Sequence, residues 1–88
     1  MTTSELGHQI RLVLNEGGTL PVDATSLKDS DDLYAAGLTS HATVNLMLGL
    51  EERFDVEFPD RLLRRRTFES IDAISAAVTE LLANKKAA

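Results

Sequence analysis

The hydroxyl of Ser40 is the side-chain group best placed for chemistry, because this serine stands where an amphipathic helix is predicted to begin. His41 follows it, so a serine nucleophile with a histidine base is the first reaction to consider. Adjacent residues of a helix point about 100° apart and make poor hydrogen-bond partners. No ordered set of histidine and carboxylate partners can be traced elsewhere in the sequence, so we predict no catalytic residue. A serine at this position can also simply cap the helix, and the spacing alone leaves that alternative open.

Composition restricts the class of protein. The chain has 88 residues, of which 43% are hydrophobic and 5% aromatic, and this predicts one small helical domain over residues 1–88 with its core at about 4–83. The absence of cysteine excludes disulfides and thiolate chemistry, and the two histidines show no metal-ligand spacing. The net charge of −5 argues against nucleic acid as a partner. No apolar run is long enough to cross a bilayer and no signal peptide is evident, so we expect a soluble, cytoplasmic monomer.

Hydrophobic spacing predicts an all-α fold, a small four-helix bundle with a short third helix and a long loop between the first two helices. The predicted helices span 3 or 4 to 16, 40 to 54, 60 to 65, and 67 or 70 to about 84, and residues 84–88 are predicted to be a frayed tail. In the short helix, Leu62 and Leu63 are predicted to turn inward and the arginines outward. The loop from Thr19 to Thr39 is predicted to be held to the core by apolar anchors, namely Leu20, Val22, Leu27, Leu33 and Tyr34.

The second helix is predicted to carry two apolar surfaces. At about 100° per residue, its core sector contains Leu46, Met47, Leu50 and Phe54. Val44 and Leu48 lie outside that sector and form a second surface, which we call the docking strip. Acidic residues surround this strip, at Glu51, Glu52 and Asp55. One interpretation is that the strip packs under a neighbouring loop, and the other is that it contacts partner proteins through an apolar centre and an acidic rim.

Charge is unevenly distributed along the chain. Residues 29–60 include eight acidic residues and one basic residue. Four arginines follow within six positions, and three of them form a continuous run, which we call the arginine run: Arg64, Arg65 and Arg66. The acidic segment would steer a basic partner toward Ser40. An arginine run is typical of a solvated surface, and the alternatives are that it selects among partners or binds a phosphate group.

Several short motifs resemble those of the acyl carrier protein family. They are Gly37-Leu38-Thr39-Ser40, then Leu50-Glu51-Glu52-Arg53-Phe54-Asp55, Phe58-Pro59 and Thr67-Phe68-Glu69-Ser70-Ile71. The likeness extends over nearly the whole chain. In that family the serine at the start of the second helix is modified with 4′-phosphopantetheine from coenzyme A, and the matching residue here is Ser40. The thiol of this arm holds an acyl or aminoacyl group as a thioester.

The resemblance implies a carrier that presents its thioester to other enzymes and is not itself an enzyme. The expected partners are a phosphopantetheinyl transferase, a ligase that loads acyl or aminoacyl groups, and acyl-transferring enzymes. Thr39 and His41 flank the attachment serine and would contact the arm, whereas the docking strip, its acidic rim and the arginine run would bind partners. A helix N-terminus suits the attached phosphate, because its free N–H groups and its dipole favour negative charge.

The sequence departs from the family pattern in three places. The family usually has aspartate before the serine and leucine after it, where this chain has Thr39 and His41. Ala42 and Asn45 stand where carriers of fatty acid synthesis often have acidic residues, and the arginine run replaces acidic positions. These differences favour a specialised carrier over a housekeeping one, and no residue specifies the cargo. The alternative function is an unmodified helical adaptor that binds a protein partner through the second helix.

Overall fold

The computed structural model describes residues 2–87, except for the side chains of Thr3, Lys86 and Ala87. Over this range the chain is all-helical and contains no β-strand. Its frame consists of α-helices, namely α1 (Thr3–Glu16), α2 (Ser40–Phe54) and α3 (Ile71–Ala87). Short 3-10 helices lie in the connections, at Ala24–Ser26, Asp60–Leu62 and Arg65–Phe68. No helix in this part of the chain is both long enough and apolar enough to span a membrane.

The core lies between the α-helices, and each of them contributes an apolar face. The helix α1 packs against both α2 and α3. The largest fully buried side chains also include one from the α1–α2 connection, and they are Ile10, Leu14, Leu33, Leu46, Leu50, Ile71, Ile74 and Val78. Burial of Leu46, Leu50 and Phe54 confirms the core sector predicted for α2. Met47 is only partly buried, because it borders a surface groove.

The predicted bounds of α1 and α2 are confirmed, but the four-helix count is not. The segment predicted as a short third helix contains a 3-10 helix, Asp60–Leu62, after which Leu63 leaves helical geometry and Arg64 is extended. So short a segment gains too few hydrogen bonds to offset the cost of helix nucleation, and packing sets its path instead. The rings of Phe58 and Phe68, which flank the segment, are both buried with centroids 5.5 Å apart.

The two leucines of this segment differ in burial. Leu62 is partly buried, as predicted. The inward orientation predicted for Leu63 is wrong, because its side chain is 48% exposed. The prediction assumed that Leu62 and Leu63 belong to one helix. Because the backbone at Leu63 is not helical, its side chain does not follow that of Leu62 toward the core.

The last helix is longer than predicted. We expected an end near Asn84, but α3 continues to Ala87, and Ala88 lies outside the described residues. The frayed tail over 84–88 stays a prediction. The ammonium of Lys85 donates to the backbone oxygen of Asp55 at 2.9 Å and to its carboxylate at 2.7 Å. Asp55 itself ends α2 in a left-handed conformation with φ 53°. One ion pair therefore joins the C-terminal ends of α2 and α3.

The α1–α2 connection is fixed to the fold through its backbone as well as its side chains. Leu33 is fully buried, and its N–H donates to the carbonyl of Glu69 at 2.8 Å. At the start of α3, the N–H of Asp72 donates to the carbonyl of Asp29 at 3.0 Å. Val22 is wrong as a predicted anchor, since it is 42% exposed. The other predicted anchors are buried or partly buried: Leu20, Leu27, Leu33 and Tyr34.

Gly37 sets the approach of this connection to α2. Its φ of 116° is a conformation that residues with a side chain rarely adopt. A Cβ at this position would lie 2.6 Å from two carbons of the Pro21 ring. Conformation and space therefore both require glycine here, just before the chain reaches Ser40.

We expect Gly37→Ala to lower the free energy of unfolding by about 2–4 kcal/mol, because backbone strain adds to a steric clash. Gly18→Ala is the matched control, since Gly18 also has a positive φ, 60°, but no atom lies within 4 Å of its added Cβ. That variant should lose only about 1 kcal/mol. Urea unfolding of the native protein and both variants measures the difference. Equal losses would mean that Pro21 moves aside without cost and that only backbone strain matters.

Candidate functional site

Ser40 is the first residue of α2 and does not cap it. The cap is Thr39, whose backbone is extended (φ −88°, ψ 167°) and whose hydroxyl oxygen accepts a hydrogen bond from the N–H of Ala42 at 3.0 Å. The Thr39 carbonyl also accepts bonds from the N–H and hydroxyl of Thr43, at 2.9 and 2.8 Å. The alternative that Ser40 serves as the helix cap is therefore wrong. Ser40 is exposed, so another protein can reach its side chain.

A surface groove opens beside this serine, and we call it the Ser40 groove. Its volume is about 350 Å³. Ser40 and Thr43 contribute hydroxyl groups, and most of the wall is apolar, from Val44, Met47, Leu63 and Phe68. Tyr34, Arg64 and Arg65 complete the lining. The groove is thus a mainly apolar surface whose lining also includes two arginines and the Ser40 hydroxyl.

The groove brings together predicted site residues from two parts of the sequence, Ser40 and Val44 from α2 with Arg64 and Arg65 from the segment that follows it. Its lining does not include the other predicted residues: Thr39, His41, Leu48, Glu51, Glu52, Asp55 and Arg66. The remaining lining residues were not predicted as site residues: Tyr34, Thr43, Met47, Leu63 and Phe68. The sequence signal for the α2 members is their spacing of i, i+3, i+4 and i+7 from Ser40, which places them on one helix face.

Tyr34 and Arg65 form a pair of contacts that we call the Tyr34–Arg65 clasp. The tyrosine hydroxyl donates to the backbone oxygen of Arg65 at 2.7 Å, and the guanidinium carbon of Arg65 lies 3.9 Å from the centre of the Tyr34 ring. This is the geometry of a cation–π contact. Burial raises the pKa of Tyr34, although the positive charge of Arg65 opposes the shift, so the phenol is a neutral donor at physiological pH. The clasp ties the α1–α2 connection to the 3-10 helix Arg65–Phe68.

The docking strip is exposed, so the interpretation that it packs under a loop is wrong. Val44 is 52% exposed and Leu48, one helical turn later, is 53% exposed. Leu63 adds a third exposed apolar side chain and lines the same groove as Val44. An exposed apolar surface beside a reactive group is typical of a protein contact site.

The acidic residues around the strip are engaged in different ways. The carboxylate of Glu51 accepts a hydrogen bond from the N–H of Phe58 at 2.8 Å and so holds the chain that follows α2. The hydrogen bond from Lys85 holds the pKa of Asp55 below its usual value. Glu52 is exposed. Two of the three acidic residues predicted to face partners, Glu51 and Asp55, therefore accept hydrogen bonds from other parts of the protein.

The chemistry of the site fits a covalently attached phosphopantetheine. An exposed primary hydroxyl is the group that forms a phosphodiester, and the first turn of α2 offers N–H groups and a positive dipole end to the phosphate. The groove gives a flexible arm a surface to lie on. His41 and Arg66 are exposed outside it. Within residues 2–87, no cluster of three or more histidine, aspartate and glutamate side chains is arranged to hold a metal ion.

Known proteins similar to this chain share its site region. A family model described as a phosphopantetheine attachment site matches residues 17–78. An aminoacyl carrier protein of Agrobacterium fabrum is 53% identical over 79 residues, which cover 90% of this chain and 95% of that protein. A similar chain occurs in the crystal structure of an engineered Bradyrhizobium japonicum glycine:[carrier protein] ligase complexed with a carrier protein from Agrobacterium tumefaciens and ATP. That chain is 51% identical to this one with a TM-score of 0.81, and the match covers 85% of this chain and 97% of that one. A solution structure from Agrobacterium tumefaciens has a TM-score of 0.74 and 51% identity, and the match covers 93% and 99% of the two chains.

We expect Thr39→Ala to lower the free energy of unfolding by about 1 kcal/mol, because it removes the cap of α2. For a chain of this size that loss corresponds to about 4–8 °C in Tm. Ser40→Ala should change the stability by no more than about 0.5 kcal/mol, because an exposed hydroxyl that does not cap the helix contributes little. Thermal unfolding followed by circular dichroism compares the two variants. A larger loss for Ser40→Ala than for Thr39→Ala would contradict the assignment of the cap.

Proposed function

This chain belongs to the family of carrier proteins that have a phosphopantetheine attachment site, and we propose that it carries an aminoacyl thioester on an arm attached to Ser40. The observation that supports this most strongly is that Ser40, inside the matched segment 17–78, is exposed while Thr39 caps the helix. A serine needed as the cap would have its oxygen engaged with the backbone. This one is available to a transferase.

The attachment step uses the Ser40 hydroxyl and coenzyme A. The serine oxygen forms a bond to the phosphorus of the pantetheine phosphate, and the bond between that phosphorus and the nucleotide portion breaks. Adenosine 3′,5′-bisphosphate leaves, and a base of the phosphopantetheinyl transferase takes the hydroxyl proton. The arm then supplies the thiol that this cysteine-free chain lacks. Thr39 and His41, on either side of Ser40, would lie closest to the new phosphodiester.

An aminoacyl group is the proposed cargo, and glycine is the first candidate. The 53% identical relative from Agrobacterium fabrum is an aminoacyl carrier protein. The 51% identical chain belongs to a complex of a carrier protein with a glycine:[carrier protein] ligase. The partners would then be a phosphopantetheinyl transferase, an aminoacyl-loading ligase and the enzymes that accept the thioester. The chain would not be a catalyst, because the reactive thiol belongs to the arm and the reactions to those enzymes.

The proposed carrier domain comprises residues 1–88, with its core at about 4–83. In the four-helix plan of the carrier, the 3-10 helices Asp60–Leu62 and Arg65–Phe68 would take the place of the short third helix. Burial of Phe68 and partial burial of Leu62 support this, because these side chains fill the space that such a helix would fill.

Partner enzymes would dock on the strip and on the rim of the Ser40 groove. Val44, Leu48 and Leu63 offer an exposed apolar centre. The arginine run would flank it on one side, and the acidic positions Glu51, Glu52 and Asp55 at the end of α2 would flank it on the other. A partner with apolar and complementary charged groups could bury the centre while keeping the charges at the solvated edge.

Incubation with coenzyme A and a broad-specificity phosphopantetheinyl transferase should add one arm to the native chain and none to Ser40→Ala. Intact mass spectrometry measures the addition. Ser30→Ala is the matched control, because Ser30 is also an exposed serine, in the α1–α2 connection, and this variant should accept the arm as the native chain does. An unchanged mass of the native chain would contradict the carrier proposal and favour an unmodified adaptor.

Val44→Asp should lower kcat/KM for loading by an aminoacyl ligase by about tenfold or more, because it places a charge in the apolar centre of the interface. Val22→Asp is the matched control, since Val22 is 42% exposed and lies outside the Ser40 groove. Both variants should keep the native Tm within a few degrees, which thermal unfolding checks. Equal effects of the two substitutions on loading would exclude a specific role for the strip.

A further inference from the structure

The lining of the Ser40 groove has a one-sided charge. It includes two guanidinium groups, those of Arg64 and Arg65, and no carboxylate. Three of the six arginines form ion pairs: Arg11 with Asp29, Arg53 with Glu16 and Arg61 with Glu80. No such pair involves Arg64 or Arg65 in residues 2–87. The two guanidinium groups at the groove therefore make no ion pair within the described residues, and the carboxylates of Asp32 and Glu69 act on Tyr34 from outside the lining.

Arg65 is held in place by two contacts with Tyr34. Its guanidinium group stacks on the Tyr34 ring, and its backbone oxygen accepts a hydrogen bond from the Tyr34 hydroxyl. Both partners line the groove. Holding a cation over an aromatic ring reduces its freedom to move away from a second cation. A positively charged group that entered the groove would therefore approach the Arg65 guanidinium group, which cannot easily move away.

A glycyl thioester has one charged group of its own, because its carboxylate has become the thioester and its α-amino group remains. The phosphodiester at Ser40 has the same negative charge whichever cargo is attached, so it does not distinguish one cargo from another. The α-amino group is an ammonium below its pKa of about 7.7–8.0. Folding the arm back from Ser40 would bring the ammonium against apolar walls, where it loses water and finds no carboxylate. It would also approach Arg64 and Arg65, and the repulsion is stronger in a groove than in bulk water.

We propose that Arg65, positioned by Tyr34 and assisted by Arg64, excludes an α-ammonium group from the Ser40 groove, so that an aminoacyl cargo stays in solvent where a partner enzyme can take it. This rests on the proposed attachment of the arm to Ser40. It makes Arg65 a specificity residue, which acts on the charge of the cargo, and it makes Tyr34 a positioning residue. Arg64 and Arg65 then have a role toward the cargo, in addition to the proposed role of the arginine run toward partners.

A pair of isosteric cargoes tests the charge directly. Arms that end in a glycyl or a propionyl group, with a stable amide in place of the thioester, are attached to the full chain, and intact mass confirms that each is on Ser40. The two groups have the same number of heavy atoms and differ in an ammonium against a methyl group. Met47 lines the groove and is one of two methionines, so its methyl resonance reports entry of the cargo. At pH 6, the propionyl arm should shift this resonance relative to the bare arm, and the glycyl arm should shift it about tenfold less.

Charge reversal should change the outcome. In Arg65→Glu the glycyl arm should now shift the Met47 methyl resonance, because a carboxylate receives the ammonium. Arg64→Glu should act in the same direction and leaves the Tyr34–Arg65 clasp in place, so it serves if Arg65→Glu does not fold. Arg66→Glu is the matched control, since Arg66 is exposed but does not line the groove, and it should behave like the native chain.

The possible results separate this inference from the proposed function. If no arm can be attached to Ser40, the proposed function fails first. If the arm attaches but both cargoes shift Met47 equally, or neither does, the exclusion of the ammonium is wrong and the carrier function stands. The exclusion is also wrong if neither Arg65→Glu nor Arg64→Glu admits the glycyl group, or if Arg66→Glu admits it as well as they do, because net charge would then explain the effect.

Discussion

The hydrogen bond from the Ala42 N–H to the Thr39 hydroxyl caps α2, so the hydroxyl of Ser40 is not needed for that purpose. The start of a helix needs an acceptor for its first N–H groups, and a serine there would ordinarily provide one. Because Thr39 provides it, the next residue can expose its hydroxyl without a cost to the helix. Two residues before Thr39, Gly37 has a positive φ and leaves no room for a Cβ beside Pro21. The exposure of the Ser40 hydroxyl therefore depends on the cap that Thr39 provides.

The Ser40 groove depends on a second constraint, the attachment of the α1–α2 connection to the segment before α3. The N–H of Leu33 binds the carbonyl of Glu69, and the hydroxyl of Tyr34 binds the backbone of Arg65. These bonds hold one wall of the groove beside the other. The protein is acidic overall, with a net charge of −5, yet the charged residues that line the groove beside Ser40 are arginines. The local charge of the groove thus differs in sign from the net charge of the protein.

Much of the fold follows from local signals. The spacing of apolar residues predicted α1, α2 and the core sector with Leu46, Leu50 and Phe54, because a helix that packs on a core must place such residues on one face. The position of Ser40 at the start of α2 follows from the motif around it. The short third helix was not confirmed as an α-helix, since a few residues cannot sustain one, and the segment instead contains 3-10 helices between the buried rings of Phe58 and Phe68.

By itself the sequence determined the helical class, the main core faces, the absence of a cysteine thiol and the resemblance to a carrier with Ser40 at its attachment position. Only the tertiary structure decided that Thr39 is the cap, that Val44 and Leu48 remain exposed, and that Arg65 lies over Tyr34. It also decided that α3 continues to Ala87 and that Lys85 binds Asp55 at the end of α2. The physical reason is that the contact of Tyr34 with Arg65 and that of Asp55 with Lys85 each join residues about thirty positions apart. Helical periodicity describes neighbours within a few turns, whereas contacts between elements depend on how the whole chain packs.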